Sequence, residues 1–284
     1  MAPPVVLTIA GFDPSSGAGI TADIKTMAAH DCYGIACITA LTVQSTAGVR
    51  RVEPVDPRMI TETLQELVSD LEIAAVHIGM LGSHEAVNAV AEFLAQAGLP
   101  HVVLDPILKS SSGAALLDAA GTELLIEKLV PLSQVITPNL DEASALTGLA
   151  VTDISQMKLA AARLHSLGAA NVVITGGHLE KAIDLLSFTT SKGIEQEIFK
   201  ADRQKSNSTH GTGCAFATAL ACHLAHGRGL PEAVLLSKAF VGAAIANAHP
   251  LGRGVGPVDH LYRMRRLRRQ SVVPAEKETA SSRN

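Results

Sequence analysis

A chain of 284 residues that is 47% hydrophobic and 18% charged has the size and make-up of one globular core, which excludes a fibrous or largely disordered protein. A net charge of −4 argues against a general nucleic-acid binder; removing the five arginines at 263, 265, 266, 268 and 269 leaves about −9, so that basic cluster is a feature of the tail alone. No stretch reaches the roughly 18 uninterrupted apolar residues of a membrane span, and Met1 to Pro4 carry no basic leader. Cysteines 32, 37, 214 and 222 show neither CxxC nor zinc spacing, so the expectation is a cytoplasmic protein with free thiols.

In chain order, residues 5–10 form an apolar run of strand length that enters a loop of turn formers from Gly11 to Gly19. Ile20, Ile24, Met27 and Ala28 then repeat at helical spacing. The segment 17–22 fits GxGxxA, but it begins seven residues after the strand, where a dinucleotide-binding turn would be tight. No GK[ST] lysine motif occurs. Residues 35–41 predict a second strand, with Gln44 just past its carboxyl end, the edge at which open α/β sheets bind ligands. The planar amide of Gln44 offers a donor beside an acceptor, which suits a heteroaromatic edge carrying an amino group; a solvated loop amide is the alternative.

An amphipathic helix over 59–71 precedes a strand over 74–78 and the turn Gly79-Met80-Leu81-Gly82; a helix over 84–97 follows. Residues 102–104 predict a strand that ends in Asp105-Pro106, where a carboxylate could hold hydrated Mg²⁺ or simply make a turn. The strand at 135–137 runs into Pro138-Asn139-Leu140-Asp141-Glu142, in which Asn139 can cap the next helix. A helix over 154–167 and a strand over 171–175 lead to Gly176-Gly177-His178, whose amides could face phosphate. Two paired strands near 183–189 and 195–199 come next, then helices over 214–226 and 231–248. Alternating strands and helices predict a largely parallel sheet with helices on both faces.

Ser208-Thr209-His210-Gly211-Thr212-Gly213-Cys214 stands at the start of the first of those late helices. Amides without intrahelical partners should converge there on an anion, and the helix dipole is expected to lower the pKa of the Cys214 thiol and fit it to act as a base. A Gly-rich turn before a buried helix, with cysteine as filler, is the other reading of the same spacing.

Taken together, TIAGFDPSSGAGITADIKT at 8–26, ALTVQST at 40–46, IGMLG at 78–82, LDP at 104–106, TPNLDEASALTG at 137–148, GGH at 176–178, THGTGC at 209–214 and GVGPVDH at 254–260 resemble the hydroxymethylpyrimidine and phosphomethylpyrimidine kinases of thiamine synthesis, in the ribokinase superfamily. The resemblance runs from Val5 to about His260. It implies a ribokinase-like three-layer α/β/α fold, ATP and Mg²⁺, and phosphoryl transfer to a pyrimidine hydroxymethyl group and then to the monophosphate. It implies that Gln44 reads the pyrimidine edge, aided by Ala18, Asp23, Val43 and Met80. Asp105, Asn139 and Glu142 would organise Mg²⁺ and phosphate, with Asp105 and Glu142 at the metal, and Thr209 and Lys238 would lie at the nucleotide. Gly211, Thr212 and Gly213 would form the anion hole, and Cys214 takes the place of the aspartate base of most sugar kinases of the superfamily. A homodimer is implied as well.

The family pattern is broken at two places: Ser111 and Thr175 stand where lysines are usual, with Lys109 and Arg253 as the nearby cations that could replace them. The expected organisation is one kinase domain over 1–262 and a basic, then polar tail over 263–284 that is disordered at its end. Competing expectations are a pyridoxine or pyridoxal kinase of the same superfamily, a non-catalytic pyrimidine-binding regulator and, on the GxGxxA match, a dehydrogenase.

Overall fold

The computed structural model describes residues 2–177, 182–202, 204 and 206–265. The expected disorder at the end of the tail, three of its five arginines and His178 of the GGH turn lie outside the described residues. Among those described, the elements run β1 (Val5–Phe12), α1 (Gly19–Ala29), β2 (Tyr33–Ser45), β3 (Gly48–Pro54), α2 (Pro57–Asp70), β4 (Ile73–Ile78), α3 (His84–Ala97), β5 (Val102–Leu104) and α4 (Ala119–Leu124), whose end widens into a π-turn at Leu125–Leu129. They continue with β6 (Val135–Ile136), α5 (Leu140–Thr147), α6 (Ile154–Ser166), β7 (Asn171–Gly176), β8 (Ala182–Thr190), β9 (Gly193–Ala201), α7 (Thr212–Ala225) and α8 (Leu230–Ala246).

The strands form one sheet in the order β3-β2-β1-β4-β5-β6-β7-β8-β9. The six strands from β2 to β7 pair in parallel, while β3 at one edge and β8 and β9 at the other run antiparallel to their neighbours. Period two along the central strands divides the core: Leu7, Ile9, Val76, Ile78, Leu104, Ile136 and Ile174 enter one hydrophobic cluster, whereas Val6, Ala75, Val103, Val135 and Val173 enter the other. The first cluster is closed by α3 and α6 residues such as Val90 and Met157, the second by α7 and α8 residues such as Phe216 and Phe240. Both faces of the central strands are therefore covered, which is why their sequences read as continuous apolar runs. The three-layer expectation is borne out.

One boundary is corrected. β2 does not stop at Leu41 but continues to Ser45, so Gln44 lies inside the strand, paired with Val49 of β3, and not beyond its end. The sequence predicts no strand over Gly48–Pro54, where the structure has β3. Its residues are largely exposed on the sheet edge, where no hydrophobic alternation marks them.

Candidate active site

The site is built at the carboxyl ends of the parallel strands, where β1, β4, β5 and β6 each release a loop. After β1, the loop from Asp13 to Ala18 folds around one carboxylate. Asp13 Oδ1 accepts the Ser15 amide at 2.8 Å and its hydroxyl at 2.7 Å, and Oδ2 accepts the amides of Gly17 at 3.2 Å and Ala18 at 3.0 Å. This is the geometry of an Asx-type turn completed by a helix start, and it is not the tight dinucleotide turn that GxGxxA would need. Burial alone would raise the Asp13 pKa, but donation from His210, Ser15 and Ala18 outweighs it and holds the carboxyl below its usual range.

The anion-binding motif meets that loop directly. Gly211 caps α7 with φ at +82°, and a Cβ there would stand 1.8 Å from the Gly17 carbonyl oxygen, so only glycine brings the two loops this close. No side chain caps the helix. The Thr209 carbonyl takes both the Thr212 amide, at 3.3 Å, and the Thr212 hydroxyl, at 2.6 Å, and the first intrahelical bond is made by Ala215 to the Gly211 carbonyl at 2.9 Å. The Gly213 and Cys214 amides precede that bond and are left to a ligand, at the positive end of a 14-residue helix.

Asp105, released by β5, lies beside this helix start. Its Oδ2 is buried, has no partner among the described residues, and lies 3.8 Å from the position a Cβ of Gly213 would take. Burial raises the Asp105 pKa to about 6. Glu142, 9% exposed, is raised to about 8, first by burial and then by the charge of Asp105. A buried carboxylate whose pKa is raised further by a second buried carboxylate marks a place where positive charge would be stabilised. The donor set fits a hydrated Mg²⁺: one orphaned carboxylate oxygen, a second carboxylate near it, and, among the described residues, no cluster of three or more ligating side chains. Asn139 is a cap as well as a site candidate, since its Oδ1 accepts the Glu142 amide at 2.9 Å while Glu142 Oε2 accepts the Asn139 amide at 2.8 Å. That capping box fixes where the Glu142 carboxylate points.

The expected low pKa of Cys214 is overturned. Burial, followed by the charges of Asp105 and Asp23, pushes the thiol well above its ordinary value, against a single lowering contribution from the Gly19 amide. The charge of Asp105 is felt at the thiol. Helix-dipole stabilisation, typically 0.3–1 kcal/mol, is small beside desolvation and two nearby anions. Cys214 thus rests as a protonated thiol in the field of nearby carboxylates.

A second expectation also fails: Asp23 does not face a ligand. Its side chain is fully buried, accepting from Thr8 Oγ1 and Thr218 Oγ1 at 2.8 Å each, with His77 Nδ1 at 3.4 Å, and so ties α1 to β1, β4 and α7. Ala18 serves as the amino-terminal cap of α1. Met80, 8% exposed beyond β4, packs against Gly11, while Val43 on β2 is 47% exposed. Lys238 of α8 pairs with Asp184 of β8 at 2.6 Å, and Asp184 also accepts the Gly176 amide at 3.0 Å, which sets this lysine at the carboxyl end of β7. Thr175 donates its amide to the Pro138 carbonyl at 2.9 Å.

Gln44 lines a cleft of about 120 Å³ together with Thr46, Gly48, Ser111, His210 and Gly254. The Val255 amide donates to the Thr46 carbonyl at 3.0 Å and the Gly254 amide to its hydroxyl at 3.3 Å, which brings the GVGPVDH segment over the β2–β3 turn. Two residues of the site were missed by sequence reasoning. His210 Nε2 lies 2.9 Å from Asp13 Oδ2 and 3.3 Å from Gln44 Nε2, across sequence separations of 197 and 166 residues, so no local spacing could reveal the contact.

Comparison with known proteins agrees with this geometry. The family model described as phosphomethylpyrimidine kinase matches residues 13–259. The chain is 43% identical over 259 residues to the hydroxymethylpyrimidine/phosphomethylpyrimidine kinase of Streptomyces coelicolor, covering 91% of this chain and 94% of that protein. It is 43% identical over 258 residues to the thiamine biosynthesis bifunctional protein of Geobacter sulfurreducens, of which it spans only 52%. Among solved structures, Bacillus subtilis pyridoxal kinase in an ADP complex superposes with a TM-score of 0.84 at 34% identity, covering 92% of this chain and 99% of that one. Phosphomethylpyrimidine kinase of Clostridium difficile does so with a TM-score of 0.75 at 36% identity, covering 85% and 99%. With its motifs, fold and loops in agreement over most of its length, the chain belongs to the phosphomethylpyrimidine kinase family.

Proposed function

We propose that the protein transfers a phosphoryl group from ATP to 4-amino-5-hydroxymethyl-2-methylpyrimidine, and then to the resulting monophosphate, in the synthesis of thiamine diphosphate. The observation that carries the reading is the meeting of an uncapped helix start, the orphaned Asp105 carboxylate and the Cys214 thiol at one end of the sheet. Phosphoryl transfer asks little covalent chemistry of a protein and much positioning and charge stabilisation.

In this reading Asp105 and Glu142 would hold Mg²⁺, which would supply positive charge beside the phosphates of ATP. The Gly213 and Cys214 amides, with Gly211 and Thr212 shaping the turn, receive the charge that develops on the transferred group. Cys214 acts as the base: once its own proton has passed to solvent, the thiolate accepts the alcohol proton. Removing that proton is worth about 10²- to 10⁴-fold for an alcohol, whereas a phosphate acceptor is already ionised. Gln44 reads the pyrimidine edge with Ala18, Val43 and Met80 around the ring, and Thr209 and Lys238 border the nucleotide.

Residues 1–262 are taken as one cytoplasmic kinase domain; among the described residues no helix is long and apolar enough to cross a membrane. Exposed Tyr33, Leu41 and Val43 on β2 and Met59 at the start of α2 support a homodimer, which light scattering would test.

A second reading, a pyridoxal kinase, is favoured by one observation, the TM-score of 0.84 with the Bacillus subtilis pyridoxal kinase. One experiment decides between them: ADP release with the purified protein, ATP and Mg²⁺, and the pyrimidine alcohol, its monophosphate or pyridoxal at matched concentration. Turnover of both pyrimidines above pyridoxal supports the proposal. Pyridoxal ranked first replaces it, and no turnover with any of the three revives a binding protein without catalysis.

A further inference from the structure

The contacts around Gln44 determine which way round its amide faces. His210 Nε2 is 2.9 Å from Asp13 Oδ2, and Asp13, with its depressed pKa and donors on both oxygens, is ionised and can only accept. Nε2 of His210 must therefore carry a hydrogen, whichever charge state the ring is in. Nε2 of Gln44 faces that same atom at 3.3 Å, which sets two donors against each other. On the other side of the amide, Thr42 Oγ1 lies 2.9 Å from the Phe12 carbonyl, which can only accept, so the single hydroxyl hydrogen is used there. Toward Gln44 Oε1, at 3.2 Å, the hydroxyl has only a lone pair left, which sets two acceptors together. A rotation of 180° about the last side-chain bond cures both mismatches at once, since amide oxygen and nitrogen are told apart by such networks.

From this we infer that Asp13, His210 and Thr42 are positioning residues that lock the Gln44 amide with its carbonyl toward His210 and its NH₂ toward Thr42, and thereby make the site selective for amino- over oxo-pyrimidines. The inference rests on the reading of Gln44 as the residue that contacts the pyrimidine. So locked, the amide offers the ligand an acceptor on the His210 side and a donor on the Thr42 side. A 4-aminopyrimidine presents the matching pair, an exocyclic amino donor beside a ring-nitrogen acceptor. Its 4-oxo analogue presents the reverse, a carbonyl acceptor beside a ring N–H, and can bind only if the amide turns over. Turning it over recreates both mismatches. Gly17 is what lets the ring reach this position, since a Cβ there would stand 2.2 Å from His210 Cδ2.

The test has a ligand-free part and a binding part. In ¹⁵N NMR of the unliganded protein, Nε2 of His210 should be protonated at pH 8, and Asp13→Asn should shift the ring toward a mixture of tautomers. By calorimetry, the wild type should bind the amino alcohol about 10- to 100-fold more tightly than its 4-oxo analogue, the ratio set by the mispaired polar contacts at the part-buried amide. Thr42→Val, which keeps the shape of the side chain, should lower that ratio by about threefold or more, and the combination with Asp13→Asn should bring it to within about threefold of unity. An unprotonated Nε2 in the wild type, or a ratio that both variants leave unchanged, would overturn the lock. Failure of the wild type to bind either pyrimidine would remove the reading of Gln44 on which the lock's purpose depends, and the NMR result separates that case from a missing lock.

Discussion

Replacing Gly211 by alanine tests the anion hole through its tightest contact. The new Cβ would lie 1.8 Å from the Gly17 carbonyl oxygen, whereas real Cβ contacts stay beyond 3.0 Å, so the two loops must part by more than 1 Å. Alanine at φ +82° adds left-handed strain of about 1–2 kcal/mol. Relief by movement displaces either the helix start with its Gly213 and Cys214 amides or the loop from Asp13 to Ala18. A misplacement of about 1 Å in a transition-state contact costs about 10²-fold in rate. Gly211→Ala should accordingly lower kcat by about 10²-fold with ATP and either pyrimidine, and reduce Tm by about 4 °C or more. Steady-state kinetics and differential scanning fluorimetry on the same preparation would measure both. A variant with kcat within threefold of wild type and an unchanged Tm would refute the close approach of the loops and the role assigned to them.

Other outcomes follow from the same site and core. Cys214→Ala should slow phosphorylation of the alcohol by about 10²-fold or more while affecting the monophosphate step far less; equal losses in single-turnover assays of the two steps would count against the base role. Asp105→Asn should raise the Mg²⁺ concentration needed for half-maximal activity by at least tenfold, since it removes the one buried, unpartnered carboxylate oxygen among the described residues, and an unchanged Mg²⁺ titration would place the ion elsewhere. Lys238→Met leaves Asp184 without its cation in a nearly buried pair and should cost about 3 kcal/mol in urea unfolding; a loss below 1 kcal/mol would show that water replaces the ammonium.

Stability should also fall on acidification, for a reason that lies away from the site. Burial holds His30, His223 and His260 neutral with pKa values of about 4, against 6.5 for the free side chain. The unfolded chain takes up protons that the native state refuses, so this contribution is fully present above pH 6.5 and is lost as pH falls toward 4. Each such histidine adds a slope of at most about 1.4 kcal/mol per pH unit. His30 and His223 meet in a T-shaped, edge-to-face arrangement at 4.9 Å and repel when charged, so the three slopes do not add fully. Urea midpoints that stay level from pH 7 to 5 would contradict the burial of these rings.

The central strands were legible because both of their faces are covered, which turns a strand into an unbroken apolar run. Even the three residues of β5 and the two of β6 stood out in that way. β3 did not, because an edge strand with exposed arginines carries no burial pattern, and the polar end of β2 was read as loop for the same reason. Within the site, local chemistry was readable and long-range chemistry was not. The helix start at Gly211 and the carboxylate at the end of β5 follow from short motifs, whereas the contact of Asp13 with His210 joins positions 197 apart. The Cys214 pKa was misjudged because the helix dipole is visible in sequence while Asp105 and Asp23, which oppose it, come close only in the fold. Asp23 lies in a ligand-like motif yet spends its carboxylate on Thr8 and Thr218 inside the core.

The claim that the site is a pyrimidine kinase is tested most directly by identifying its product. Incubation of the pyrimidine alcohol with ATP, Mg²⁺ and the purified protein, followed by ³¹P NMR and mass spectrometry, should show one phosphoryl group on the hydroxymethyl oxygen and then a second on the first. A phosphorylated pyridoxal formed in preference, or ATP left unconsumed beside unmodified pyrimidine, would contradict the account.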